Sequence, residues 1–190
     1  LEPVAVEPRW EFGILFVCVS IAVASGAILS EIAFARGAQQ FYYALIWLGS
    51  FAIVFGAAIP KLRAISPAIR SRMKGSARWP VHAKLVNALC WAGPFVAISV
   101  FPGLYQYLIL LGIGLGNLST YLFVRNYTGH GHLEQLIVAF ISLASLPAAF
   151  VLDTSILETR QDIAITLSRI FIALSYAGGG AYGLLARSGS

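Results

Sequence analysis

The sequence predicts an all-α fold: a polytopic integral membrane protein whose helices form a six-transmembrane-helix bundle of three consecutive antiparallel hairpins. Three observations carry this. Six stretches are apolar and long enough to cross a bilayer, since a hydrocarbon core of about 30 Å takes roughly 20 residues of helix. The composition is 58% hydrophobic and 11% charged, with a mean hydropathy of +0.80. The polar residues gather between the stretches rather than alternating along them, which excludes the period-two pattern of a membrane barrel. Residues 1–190 therefore form a single six-helix transmembrane domain.

The first span is Phe12–Ile32. Its apolar stretch, Trp10–Ala35, is too long for the core of a signal peptide and lacks a basic run before it and a small-residue cleavage pattern after it, so it reads as a permanent span. The sequence begins at Leu1, which leaves processing of the chain start open. Arg36–Gln40 forms a connector to the second span, Tyr42–Ile59. Pro60–Pro80 is expected to be a basic cytoplasmic loop, punctuated by prolines and carrying Lys61, Arg63, Arg70, Arg72, Lys74 and Arg78 with no acidic residue. The third span, Val81–Phe101, meets the fourth, Leu104–Val124, through a tight Pro102–Gly103 turn. The fifth span is Gln135–Val151, Asp153–Asp162 connects onward, and the sixth span is Ile163–Leu185.

Charge sets the expected orientation. Arg9, Lys84, Arg125 and Arg187 fall on the same side as the basic loop, so ten of the thirteen basic residues share one face. The positive-inside rule then places both termini in the cytoplasm. In this setting the net charge of +5 and the pI near 9.5 point to anionic lipid or a cytoplasmic partner at residues 60–80, and not to nucleic acid. Cys18 and Cys90 lie far apart in predicted helices, without disulfide or paired-thiol spacing.

Polar residues within the spans are the candidate functional groups, because burying them in lipid is costly. In the third span Lys84, Asn87, Trp91 and Pro94 recur at spacings of three and four, which aligns them on one helical face. In the fourth, Gly112, Gly114 and Gly116 precede Asn117, Ser119 and Thr120. Gly112 with Gly116, and Gly179 with Gly183, are G-x-x-x-G pairs suited to close helix packing, within the chain or against a second copy or partner protein. Gly178–Gly180 also suggests a break in the sixth helix flanked by Tyr176 and Tyr182. Arg169 lies about 9 Å inside the outer end of its span, counting about 1.5 Å per residue. Glu31 and Asp153, at outer helix ends, are its candidate ion-pair partners in an outer gate.

On the other side, His130, His132 and Glu134 are compressed into G-H-G-H-L-E, with His82 at the start of the third span. Imidazole and carboxylate can ligate zinc, nickel or copper, but this spacing matches no recognised metal motif, and a solvated loop is the plainer reading. No cofactor is expected, and haem is disfavoured because no histidine lies at mid-membrane depth. The sequence contains no G-x-S-x-G, H-E-x-x-H, intramembrane aspartate pair or P-loop, so no enzyme class is indicated.

Two functional classes remain. One is a small transporter or channel for a neutral or weakly polar solute, with Asn87, Trp91, Asn117, Thr120, Tyr176 and Tyr182 along the path. The alternative is a non-catalytic membrane subunit, sensor or anchor that packs through its glycine faces and basic segment.

Overall fold

The computed structural model of the chain describes residues 9–76, 79–129, 131–157 and 159–185. Among them are six α-helices and no strand: α1 (Arg9–Ala35), α2 (Gln40–Ser76), α3 (Val81–Ala97), α4 (Tyr105–Thr128), α5 (Leu133–Val151) and α6 (Gln161–Leu185). A single 3-10 turn, Pro102–Leu104, precedes α4, and a π-helical turn, Leu152–Ile156, follows α5. Two glycines shape the ends. Gly37 and Gly129 adopt φ of 66° and 74°, and the Gly129 N–H caps the Arg125 carbonyl at 3.1 Å. Left-handed backbone of this kind costs glycine nothing and terminates a helix cleanly.

Five of the helices are long and apolar enough to cross a membrane; the helix of the third expected span, Val81–Phe101, falls short. The apolar run of the third stretch continues to Phe101, but α3 stops after 17 residues and Ile98–Val100 turn away. Pro102 explains the early stop, because it cannot continue a helix and forces the residue before it out of the α region.

The expected basic loop at 60–80 is also corrected. α2 continues through Pro60 and Pro67 to Ser76, a helix of 37 residues. Each proline removes one backbone bond and can kink a helix, but the residues between them are mostly good helix formers, and Ile65 is almost fully buried. At about 1.5 Å per residue such a helix extends roughly 55 Å, well beyond a bilayer core. Lys61, Arg63 and Arg70 are therefore exposed on a helical extension.

Packing follows the order α2, α1, α6, α5, α4, α3, with the most extensive interface between α1 and α6. α3 packs on α4 and α2 mainly on α1, while α2 and α3 hardly touch, so the helices curve around a central space. The buried residues are dominated by alanine, glycine and serine, whereas large apolar side chains such as Leu48, Ile53, Leu89 and Phe140 face outward. Helices in lipid associate in this way, through small residues that allow close approach. A β-carbon at Gly13 would stand 2.9 Å from the Leu184 nitrogen, and one at Gly179 would stand 2.6 Å from the Glu134 carbonyl oxygen. Serines add bonds across helices: Ser20 Oγ donates to the Ala173 carbonyl at 2.7 Å and Ser142 Oγ to that of Leu110 at 2.8 Å. α6 runs unbroken through Gly178–Gly180, so the expected helix break does not occur. Those glycines accept neighbours instead: Ile141 faces Gly178, Val138 faces Gly179 and Val17 faces Gly180.

Candidate functional site

The space partly surrounded by the curved row of helices is an open-sided cavity of about 470 Å³. Val19 and Val23 of α1, Trp47 and Phe51 of α2, Phe95 of α3, Ile109 and Ile113 of α4, and Ile172 of α6 give it apolar and aromatic walls. Its polar lining groups are Tyr105, Arg169 and Tyr176. Volume and lining match the general form of small-molecule sites, apolar with a few placed polar groups.

Towards the Gly37 end, a second space of about 330 Å³ forms a vestibule. Ser30, Glu31, Tyr43, Gln161, Asp162 and Thr166 line it together with Tyr105 and Arg169, which thus belong to both spaces. The Arg169 side chain is held at this junction. Its Nη2 donates to the Tyr105 hydroxyl at 3.5 Å, and the guanidinium lies 5.7 Å from the centre of the Trp47 ring. A cation over an indole face is stabilised by up to about 2 kcal/mol when desolvated.

The expected gate pairing of Arg169 with Glu31 or Asp153 is not formed. Glu31 Oε2 accepts the Thr166 hydroxyl at 2.9 Å. Asp153 sits on the π-helical turn and faces the first turn of α4, where it accepts from Gln106 Nε2 at 3.0 Å and from the Tyr107 hydroxyl. Each carboxylate accepts from neutral neighbours on the helix that packs against it, Glu31 through Oε2 and Asp153 through Oδ2. Among the described residues no carboxylate lies within ion-pairing distance of Arg169, while Arg160 and Asp162 pair at 3.5 Å near the start of α6. Exposed pairs of that kind add little stability.

The other end of the cavity is closed by Tyr176. Its ring meets Phe16 edge-on at 5.4 Å, and its hydroxyl lies beside Asn117. Asn117 is buried and donates from Nδ2 to the Ile113 carbonyl at 2.8 Å.

Asn87, Trp91 and Thr120 come together, but at the seam between α3 and α4 rather than on the cavity wall. Asn87 Oδ1 receives the Ser119 hydroxyl at 2.8 Å and lies 3.0 Å from Thr120 Oγ1, which accepts from Trp91 Nε1 at 3.1 Å. The Trp91 ring covers Gly116, where a β-carbon would approach to 2.4 Å, and Phe95 covers Gly112 at 2.9 Å. The glycine pair thus seats α3 on α4 through two aromatic rings. Lys84 is exposed, and Tyr182 is half-buried near the end of α6. Of the six path candidates, Tyr176 alone lines the cavity.

At the Gly129 end, His82 is exposed with Nε2 3.3 Å from the Tyr127 hydroxyl. His132 stacks on Phe12 at 6.3 Å, and Glu134 is fully buried. His130 lies outside the described residues. Among the described residues no three His, Cys, Asp or Glu side chains stand together as a metal site. Cys18 and Cys90 are free thiols, the first buried and the second half-buried.

Sequence reasoning missed Trp47, Tyr105 and Thr166. Tyr105 and Thr166 are polar residues near helix ends, where they look like ordinary membrane-interface groups, and Trp47 carries no signal beyond its aromatic ring. Comparison with protein-family models, curated proteins and solved structures finds no match to this chain.

Proposed function

We propose that the chain is a small multi-pass membrane transporter or channel for a neutral or weakly polar solute, which it binds in the central cavity. One observation supports this above the others: the apolar cavity and the polar vestibule share Tyr105 and Arg169, so a solute leaving one meets the other. With the basic residues facing the cytoplasm, the vestibule opens outward and Tyr176 closes the inner end. The path then runs between α1, α2, α4 and α6. The Asn87, Trp91 and Thr120 network serves it by holding α3 in place.

Osmotic swelling of proteoliposomes in glycerol, urea or leucine tests the reading. The expected result is swelling faster than that of empty liposomes for at least one solute. Ile113→Trp, which fills the cavity, should abolish the excess while the protein remains monodisperse. Swelling equal to that of empty liposomes for every solute would sink the transport reading.

A second reading, a non-catalytic subunit or anchor, has its own support in α2. Apart from its contact with α1, most of that helix is exposed, and it continues into the basic extension. Native mass spectrometry from the source membrane separates the two: a stoichiometric second polypeptide favours the subunit.

A further inference from the structure

Glu31 and Arg169 line one vestibule without closing on each other. Opposite charges in a cleft of low dielectric attract strongly, yet here each is held by a different neighbour, Glu31 by Thr166 and Arg169 by Tyr105 and Trp47. Thr166 and Arg169 are three residues apart on α6, hence neighbours on one helical face with β-carbons about 5–6 Å apart. The carboxylate and the guanidinium therefore line one space of about 330 Å³ without pairing. That space has room for a molecule that carries an ammonium and a carboxylate on one carbon.

A third group points the same way. Ser30 lines the vestibule next to Glu31 in sequence, is 1% exposed, and its Oγ has no hydrogen-bond partner among the described residues. A buried hydroxyl left unsatisfied is destabilising unless a ligand or water completes it. Behind Arg169 lies the apolar cavity of about 470 Å³, walled by Trp47, Phe51 and Ile109.

We propose that this site binds an α-amino acid with a bulky apolar side chain. Its carboxylate sits on Arg169 and the Tyr105 hydroxyl, its ammonium group on Glu31 and Ser30, and its side chain in the central cavity. The inference rests on the transport reading and names its substrate class: a zwitterion carries no net charge, so it meets the expectation of a neutral solute while using both fixed charges. Asp162, the third charge on the vestibule wall, pairs with Arg160 at 3.5 Å, so Glu31 and Arg169 remain for a ligand, and their mixed charge disfavours simple anions and simple cations alike.

The test is equilibrium binding of tritiated phenylalanine to the protein in phosphatidylcholine nanodiscs, in competition with phenethylamine, which lacks the carboxylate, and hydrocinnamate, which lacks the ammonium. Phenylalanine is expected to bind about tenfold or more tighter than either analogue, from the charge-assisted bonds each analogue forgoes. Arg169→Gln should bring phenylalanine down to the level of phenethylamine and leave phenethylamine unchanged. Glu31→Gln should bring it down to the level of hydrocinnamate. Equal binding of the three ligands, or an Arg169→Gln loss shared by all of them, overturns the proposal, and the wild-type ranking decides the matter even where a variant does not fold. Absence of phenylalanine binding alongside persistent glycerol or urea swelling rejects the amino-acid site and leaves the transport reading standing. Absence of both rejects the two together.

Discussion

At Gly116 a hydrogen atom occupies the place where a methyl group would press to 2.4 Å of the Trp91 ring, while at Gly56 nothing stands within 4 Å. The two positions should respond with opposite sign. Gly116→Ala overpacks a filled seam and is expected to cost about 1–3 kcal/mol. Gly56→Ala removes helix-disfavouring backbone freedom and should stabilise by about 0.5–1 kcal/mol. Thermal unfolding of the detergent-solubilised protein reads both, and equal melting temperatures for the two variants would count against the packing described. The spacing of Gly112 and Gly116 announced close packing in the sequence. What covers them was not legible, because a G-x-x-x-G stripe records a need for proximity and says nothing of which neighbour supplies it. Charges were similarly half-legible. Arg169, Glu31 and Asp153 stood out as costly residues, but Thr166, Tyr105 and Tyr107, the neutral groups that hold them, carry no comparable signal.

The element that departs furthest from its sequence pattern is α2. Pro60 and Pro67 read as loop punctuation, and the basic run around them reads as a solvated loop. A proline costs a helix one bond and some straightness, however, and the burial of Ile65 together with the helix-forming residues around it outweighs that loss locally. The run of positive charge was legible; its helical form was not. Under the membrane reading proposed above, this helix emerges from the bilayer and would set Lys61, Arg63 and Arg70 where anionic headgroups concentrate. Replacing all three with glutamine should weaken retention of phosphatidylglycerol by roughly a hundredfold, at about 1 kcal/mol for each basic residue near the surface. Native mass spectrometry of lipid-bound protein measures this, and the wild-type retention should fade with added salt. Undiminished retention in the triple variant would assign the lipid contact elsewhere.

At the scale of the whole molecule, the helical class and most of the spans were visible from continuous apolar runs, and the arrangement was not. The cavity is assembled from five helices, and the residues that wall it, such as Phe51 and Ile109, cannot be told by type from those that face outward. Orientation is open to direct measurement. In a Cys18→Ala, Cys90→Ala background, Gly103→Cys should react with an impermeant maleimide on intact cells and Arg70→Cys only after permeabilisation. The reverse pattern would invert the vestibule and place Glu31 and Arg169 on the cytoplasmic side.

The pairing of α1 with α6 carries a consequence for synthesis. The hydrogen bond from Ser20 to Ala173 joins residues 153 positions apart, across four intervening helices. Contacts of such separation form late, and the segments that await them remain exposed in the meantime. During translation α1 must therefore wait with its Gly13 face unfilled until α6 arrives. A ribosome that stalls within α5 leaves behind a chain with no central cavity, its glycine-lined backbone open to any passing helix or quality-control protease.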